Sequence, residues 1–173
     1  GGAFSSFTTQ ETDLLLSIPA NKINSLFGTL DEAKDGKNIL HKLQYRKGLK
    51  INYIGFDCSQ PPFNDVHLRL AIFHAVNRDF ICSEFLYGET NPAKNGILPE
   101  GPYFKPTSNP QKSYNLKLAR YHMRKSIYKG DSLVFFVSEN AESETKWCKS
   151  LLKELKTSLG LKIKMITGTY AEK

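Results

Sequence analysis

No apolar run in the 173-residue chain approaches the roughly 18 residues that a membrane-crossing helix requires. No G-x-S-x-G, HExxH or P-loop pattern occurs, so the usual signatures of an α/β-hydrolase nucleophile, a zinc peptidase and a phosphate-cradling NTPase are missing. Cysteine is confined to Cys58, Cys82 and Cys148. An odd number without C-x-x-C spacing argues against a disulfide framework and a structural zinc site, although one pair is still able to bridge in an oxidising compartment. Tryptophan occurs once, at Trp147. No secretory signal opens the chain, because Gly1 and Gly2 lead into Ala3, Phe4 and a polar Ser-Ser-Phe-Thr-Thr stretch; a mature chain would lack its signal in any case.

What is present suits one ordinary domain or part of a larger one. A hydrophobic content of 40% with 12% aromatics supplies enough apolar surface for a core and excludes a disordered chain. The formal charge of +7 permits contact with nucleic acid or an acidic surface. The lysines are nevertheless dispersed, and Lys146, Lys149, Lys153 and Lys156 fall together through sharing the outer face of one helix, which reads as a solvated face.

Along the chain, Thr12 to Ile18 suits a buried strand ended by Pro19, and Asn21 to Phe27 a short helix closed by Gly28. Residues 31–38 are polar and read as a loop. Ile39 to Tyr45 and Leu49 to Tyr53 carry strand alternation, joined through Arg46-Lys47-Gly48 as a hairpin or bend. Pro61-Pro62 stops the second strand, since neither proline donates to a ladder. Asn64 or Asp65 then caps a helix whose apolar face is Val66, Leu70 and Phe73, widened by Ile72 and Val76, with His67, His74 and Arg78 on another side. A second helix is expected from Asp79 to Tyr87, stopped by Gly88. Residues 89–113 hold Pro92, Pro99, Pro102, Pro106 and Pro110 and read as a long loop. A helix with Leu116, Ala119, Met123 and Ile127 in phase follows Asn115 and ends at Gly130. Leu133 to Val137, apolar on both faces, reads as a strand in a covered sheet. A helix from Ala141 to Leu159 with the stripe Trp147, Leu151, Leu155 and Leu159 follows, and then Leu161, Ile163 and Met165 alternate with lysines. Strand, helix and strand of these lengths form a βαβ crossover. Cys148, beside Trp147 on the stripe, reads as a buried thiol.

The candidate chemistry is thin. His67 and His74 lie two helical turns, about 10 Å, apart, too far to share one ion, and read as packing or surface residues. His41 and His122 stand alone in sequence. Glu11 with Asp13, and Asp31 with Glu32, read as loop and cap carboxylates. The two abutting helices superficially suggest a helix-turn-helix. The second, carrying Phe80, Ile81, Cys82, Phe85 and Leu86, has no Arg, Lys, Asn or Gln to read bases, so no nucleic-acid partner is expected.

Several segments match one family in order. Gln10-Glu11-Thr12-Asp13-Leu14, Asn52-Tyr53-Ile54-Gly55-Phe56-Asp57, Pro61-Pro62-Phe63-Asn64-Asp65-Val66 running on to Ala71, Ala75-Val76-Asn77-Arg78-Asp79, Ala93 to Pro99 and Tyr114-Asn115-Leu116-Lys117-Leu118-Ala119 together resemble the large-lobe segment of the bacterial extracellular solute-binding proteins, family 5, the peptide and nickel binders of ABC transporters. No motif is specific alone; the ordered set is. Leu116 stands where the family usually opens a helix with proline, Leu70 where it usually carries glutamine, and Arg124-Lys125-Ser126 departs from its leucine pair and alanine.

The resemblance implies an α/β, periplasmic-binding-protein-like type II lobe: a mixed sheet with flanking helices and a C-terminal βαβ crossover. It implies that residues 1–173 are a partial second lobe, without the first lobe or the C-terminal return bearing a Trp-x-x-Asp-Tyr segment. The implied function is ligand capture rather than catalysis: peptide held in an interlobe cleft and delivered to membrane permease subunits, by a monomer in the periplasm or anchored at the outer face of the cytoplasmic membrane, with no cofactor. Nickel complexes, haem and antimicrobial peptides are family alternatives, and a stand-alone α/β enzyme is the competing class. Tyr53 and Phe56 are the aromatics placed nearest the cleft, with a core position as the other reading.

Overall fold

The computed structural model describes residues 2–36, 40–44, 48, 51–93, 96, 98, 104, 114–138 and 142–168. They divide into two compact units, Gly1–Gly48 with Leu86–Thr90, and Leu49–Phe85 with Asn91–Lys173.

The first unit holds three short helices, α1 (Ala3–Thr8), α2 (Ala20–Phe27) and α3 (Leu30–Lys34). The α2 helix stops at Gly28, whose φ of +83° is open to glycine and costly for other residues. A capping box starts α3: the Thr29 hydroxyl accepts the Glu32 N–H at 3.2 Å, and the Glu32 carboxylate accepts the Thr29 N–H at 2.7 Å. Ile23, Phe27 and Ala33 form a small core, with Ile18, Leu26 and Leu43 against it.

Three expectations fail between Thr12 and Asp57. The polar stretch beginning at Asp31 opens inside a helix rather than a loop, because Thr29-x-x-Glu32 nucleates a turn without apolar periodicity. Thr12 to Ile18 is not a strand, and Leu14 and Leu16 are 75% and 92% exposed; an apolar run takes up a strand only where a neighbouring backbone pairs with it. In the expected hairpin, residues 40–44 and 51–57 carry no strand pairing, whereas residues 45–47 and 49–50 lie outside the described residues. Much of the proline-rich 89–113 stretch also lies outside them.

The second unit contains α4 (Val66–Ala75), α5 (Arg78–Glu84), α6 (Leu116–Lys125), β1 (Leu133–Ser138), α7 (Glu142–Leu159) and β2 (Ile163–Gly168). The expected βαβ unit is present. β1 and β2 pair in parallel, with Leu133 opposite Ile163 and Ser138 opposite Gly168, and α7 is the crossover. Gly160, at φ +70°, ends α7 and donates its N–H to the Lys156 carbonyl at 3.0 Å. The core joins Leu68, Ala71, Ile72 and Ala75 of α4 and Ala119 of α6 to Leu151, Leu152, Leu155 and Leu159 of α7, with Leu133 and Leu161. Each fully buried large side chain contributes about 1.5–3 kcal/mol, so this cluster dominates the stability of the unit. Cys148 is buried on α7, as its stripe implies.

The buried face of α4 is rotated from the expected one. Val66 is exposed and Leu70 and Phe73 are half-buried, while Leu68, Ala71, Ile72 and Ala75 face inward. This helix is apolar on nearly every side, so periodicity alone cannot choose the face. The sixth helix ends at Lys125, short of the expected Gly130, and leaves Ile127 exposed. β1 is covered on one face only among the described residues: Leu133 and Val137 are buried, but Val134 is 57% exposed.

Helices α4 and α6 run antiparallel and are tied at both ends. Asp65 caps α4 by accepting the His67 N–H at 2.9 Å, and its other oxygen accepts the Ser126 hydroxyl at 2.6 Å and the Ile127 N–H at 2.9 Å beyond the end of α6. At the opposite end the Asn115 N–H donates to the His74 carbonyl at 2.8 Å, while the Asn115 side chain caps α6 by accepting the Leu118 N–H at 3.0 Å.

Candidate functional site

Residues 51–57, which precede the Pro61-Pro62 turn and α4, carry both candidate aromatics. Tyr53 is 67% exposed, and its ring passes beside Gly55, where an added Cβ would lie 3.9 Å from Cε2. Phe56 goes the other way: half-buried, it packs against the main core and stands 5.2 Å from the Phe63 ring in a tilted pair. One chain segment therefore presents one aromatic to solvent and uses the other as an anchor. The Arg69 guanidinium donates to the Phe63 carbonyl and fixes the turn from α4.

Two open grooves mark the surface of this unit. One, of about 400 Å³, is lined by Ser132, Lys156, Leu161, Lys162, Ile163 and Lys164. The other, of about 320 Å³, lies between α5 and α7 and includes Asn77, Phe80, Lys153 and Glu154. Burial raises the Glu154 carboxyl above the usual range, against the lowering effect of a hydrogen bond with Tyr114. Neither groove contains Tyr53.

Arg78 opens α5, so this helix does carry an arginine. Its guanidinium sits 4.6 Å from the Phe73 ring centroid and donates to the Ala93 carbonyl at 3.4 Å, held against the protein surface. The Cys82 thiol is pushed up by burial and then by the Asp79 charge, which makes it a poor nucleophile.

The histidines that stand apart in sequence meet in space. His122 of α6 lies between His67 and His74 of α4, with ring centroids 5.2 Å and 5.9 Å away. His41 instead packs 5.1 Å from Phe7 and 6.2 Å from Phe27 in the first unit. The seven-residue spacing of His67 and His74 marked one stripe of α4. Its relation to His122 depends on how the two helices cross, which spacing within either helix does not encode. Among the described residues, no group of three or more His, Cys, Asp or Glu side chains converges as a metal cage.

A parallel βαβ unit layered with helices makes this unit a lobe of the α/β class. The chain belongs to the bacterial extracellular solute-binding proteins, family 5, whose middle-region model matches residues 2–173. Among solved structures it is similar to the Escherichia coli murein tripeptide binding protein MppA, with a TM-score of 0.74 and 18% identity over 98% of this chain and 33% of that one. The oligopeptide-binding protein AppA from Bacillus subtilis, in complex with a nonapeptide, is similar with a TM-score of 0.56 and 21% identity over 68% of this chain and 26% of that one. NikA from Staphylococcus aureus, in complex with Ni(L-His)2, is similar with a TM-score of 0.59 and 16% identity over 98% of this chain and 34% of that one. At these identities the likeness is one of fold. The chain spans about a third or less of the length of these proteins. No curated protein matches it.

Proposed function

We propose that this chain is a portion of one lobe of the substrate-binding component of an ABC importer. It contributes one wall of an interlobe cleft that captures peptides, and the closed receptor delivers them to membrane permease subunits. The observation that carries this reading is the family match across residues 2–173; the peptide preference is supported by the tripeptide and nonapeptide binding of the similar MppA and AppA. Tyr53 is the proposed cleft residue, its exposed ring offering a flat apolar surface to a peptide side chain or backbone. Phe56 acts behind it by anchoring the segment to the core. The whole receptor works as a monomer in the periplasm or anchored at the outer face of the cytoplasmic membrane, and performs no chemistry on its ligand.

Hinged closure multiplies affinity because both lobes surround the ligand; one wall alone supplies half the contacts and no closure. Calorimetric titration with peptides of two to five residues tests the proposal in two arms. The protein from the complete reading frame binds at micromolar affinity or better, and the chain alone binds at least about 100-fold more weakly, a difference of about 2.7 kcal/mol. Micromolar binding by the chain alone would overturn the shared-cleft reading. A complete protein that ignores peptides and takes Ni(L-His)2 would move the ligand to the class bound by the similar NikA.

A further inference from the structure

We propose that His67 and His122 share one proton across the α4–α6 seam, making the seam a pH-sensitive joint that holds while the pair carries at most one positive charge and loosens when both rings are protonated. The Nδ1 atoms lie 3.0 Å apart. The 5.2 Å between ring centroids is about what two imidazole radii add to that separation, and the ring planes differ by 29°. The two nitrogens therefore point at each other along the line joining the rings. At the same Nδ1 separation, nitrogens chelating one ion would converge at an angle and bring the centroids closer together than this. The in-line arrangement is that of an N–H···N hydrogen bond.

Such a bond has strict proton bookkeeping. With both rings neutral, one must be the Nδ1–H tautomer and the other must leave Nδ1 bare. One added proton gives an imidazolium donating to a neutral ring, a charge-assisted and stronger bond. A second added proton puts N–H groups on both facing nitrogens, and the bond becomes a repulsion. The pair therefore titrates in two separated steps that belong to both rings.

The surroundings oppose the second charge. His122 is lowered below the ordinary histidine value by burial first, then by His67, His74 and Lys125. His74 stacks on the His122 ring at 5.9 Å with planes 11° apart, and Tyr121 meets it edge-on at 5.3 Å. On the α4 side, Asp65 is the negative group near His67, and its oxygens are already engaged by the His67 and Ile127 N–H groups and the Ser126 hydroxyl. Helix α7, packed on both helices, brings Glu154 to Tyr114, about two helical turns before His122. The sign follows. The depressed His122 value means that the unfolded chain binds this second proton more readily, so the joint keeps its stability while that proton is absent and loses it as pH falls below the ordinary histidine range and the second ring is protonated.

Imidazole nitrogen NMR on the wild-type chain, recorded from pH 8 to pH 4.5, tests this without any substitution. The expected result is one Nδ1–H tautomer within the pair at high pH, two separated titration steps, and amide exchange across Leu118–Lys125 that quickens about tenfold or more through the lower step. His122→Asn keeps a donor and acceptor near the Nδ1 position and removes the titration, so its exchange rates stay level over the same range. Two neutral Nε2–H tautomers titrating independently, or exchange unchanged through the lower step, would overturn the proposal. So would Zn²⁺ added at pH 7 shifting both nitrogens together, which would assign them to a metal.

Discussion

Asp65 concentrates more of the second unit's architecture than any other polar side chain described, and its removal has a calculable cost. In Asp65→Ala, α4 loses its N-cap to the His67 N–H, worth about 1 kcal/mol. The Ser126 hydroxyl and Ile127 N–H also lose a charged acceptor, each such bond being worth about 1.5–3 kcal/mol. The carboxylate is only half-buried and the freed donors regain water, so the lower end applies and the sum is about 4 kcal/mol. Trp147 is the sole tryptophan and packs against the same core. Its fluorescence during urea unfolding therefore follows the unit that holds Asp65. With a denaturant slope of about 2 kcal/mol per molar, the midpoint should fall by about 2 M. Asp65→Asn, which keeps an acceptor but not the charge, should lose about half as much. In a double-mutant cycle with Ser126→Ala the two sites should couple by about 1 kcal/mol. A loss below about 0.5 kcal/mol for Asp65→Ala would refute the idea that one carboxylate ties the start of α4 to the end of α6.

The same carboxylate sets an acid limit. Burial opposes its ionisation, but the Ser126, Ile127 and His67 donors outweigh burial and hold Asp65 below the usual carboxylate range, so its stabilisation is present above that range and is lost as pH falls through the folded-state value. Urea midpoints of wild type and Asp65→Asn should converge on acidification below about pH 4. Leu151→Ala empties a fully buried site on α7 and should cost about 2–5 kcal/mol in the same fluorescence assay, against less than about 0.5 kcal/mol for Lys149→Ala on the exposed face. Gly28→Ala should destabilise the first unit by about 1–2 kcal/mol, read by circular dichroism, because φ is +83° and the new Cβ would collide with the Glu32 carboxylate of the capping box. With a thiol reagent at neutral pH, exposed Cys58 should react first, Cys82 more slowly because burial raises its thiol, and buried Cys148 only on unfolding.

Legibility followed the range of the interactions. The βαβ unit was readable because each of its parts carries a local signal: LVFFV for β1, the leucine stripe and Gly160 for α7, alternating lysines for β2. The caps at Asp65 and Asn115 were likewise visible as residue types before apolar periodicity. Thr29-x-x-Glu32 was an equally local signal for α3, obscured by the polar residues that follow it. Of the two aromatics proposed for the cleft, sequence set both in the Asn-Tyr-x-Gly-Phe segment but did not separate exposed Tyr53 from anchored Phe56, since that depends on where Phe63 and the core lie.

Chain order and residue type were enough to establish the family, the parallel crossover and the principal caps, because each rests on groups a few residues apart or on motifs in succession. Tertiary structure alone selected which side of the largely apolar α4 is buried, left Leu14 and Leu16 in solvent, and carried His122 to His67 across 55 positions. Those outcomes depend on which surfaces meet when the helices pack, and a helix with apolar residues on most of its sides, or an imidazole facing outward, holds no record of its partner.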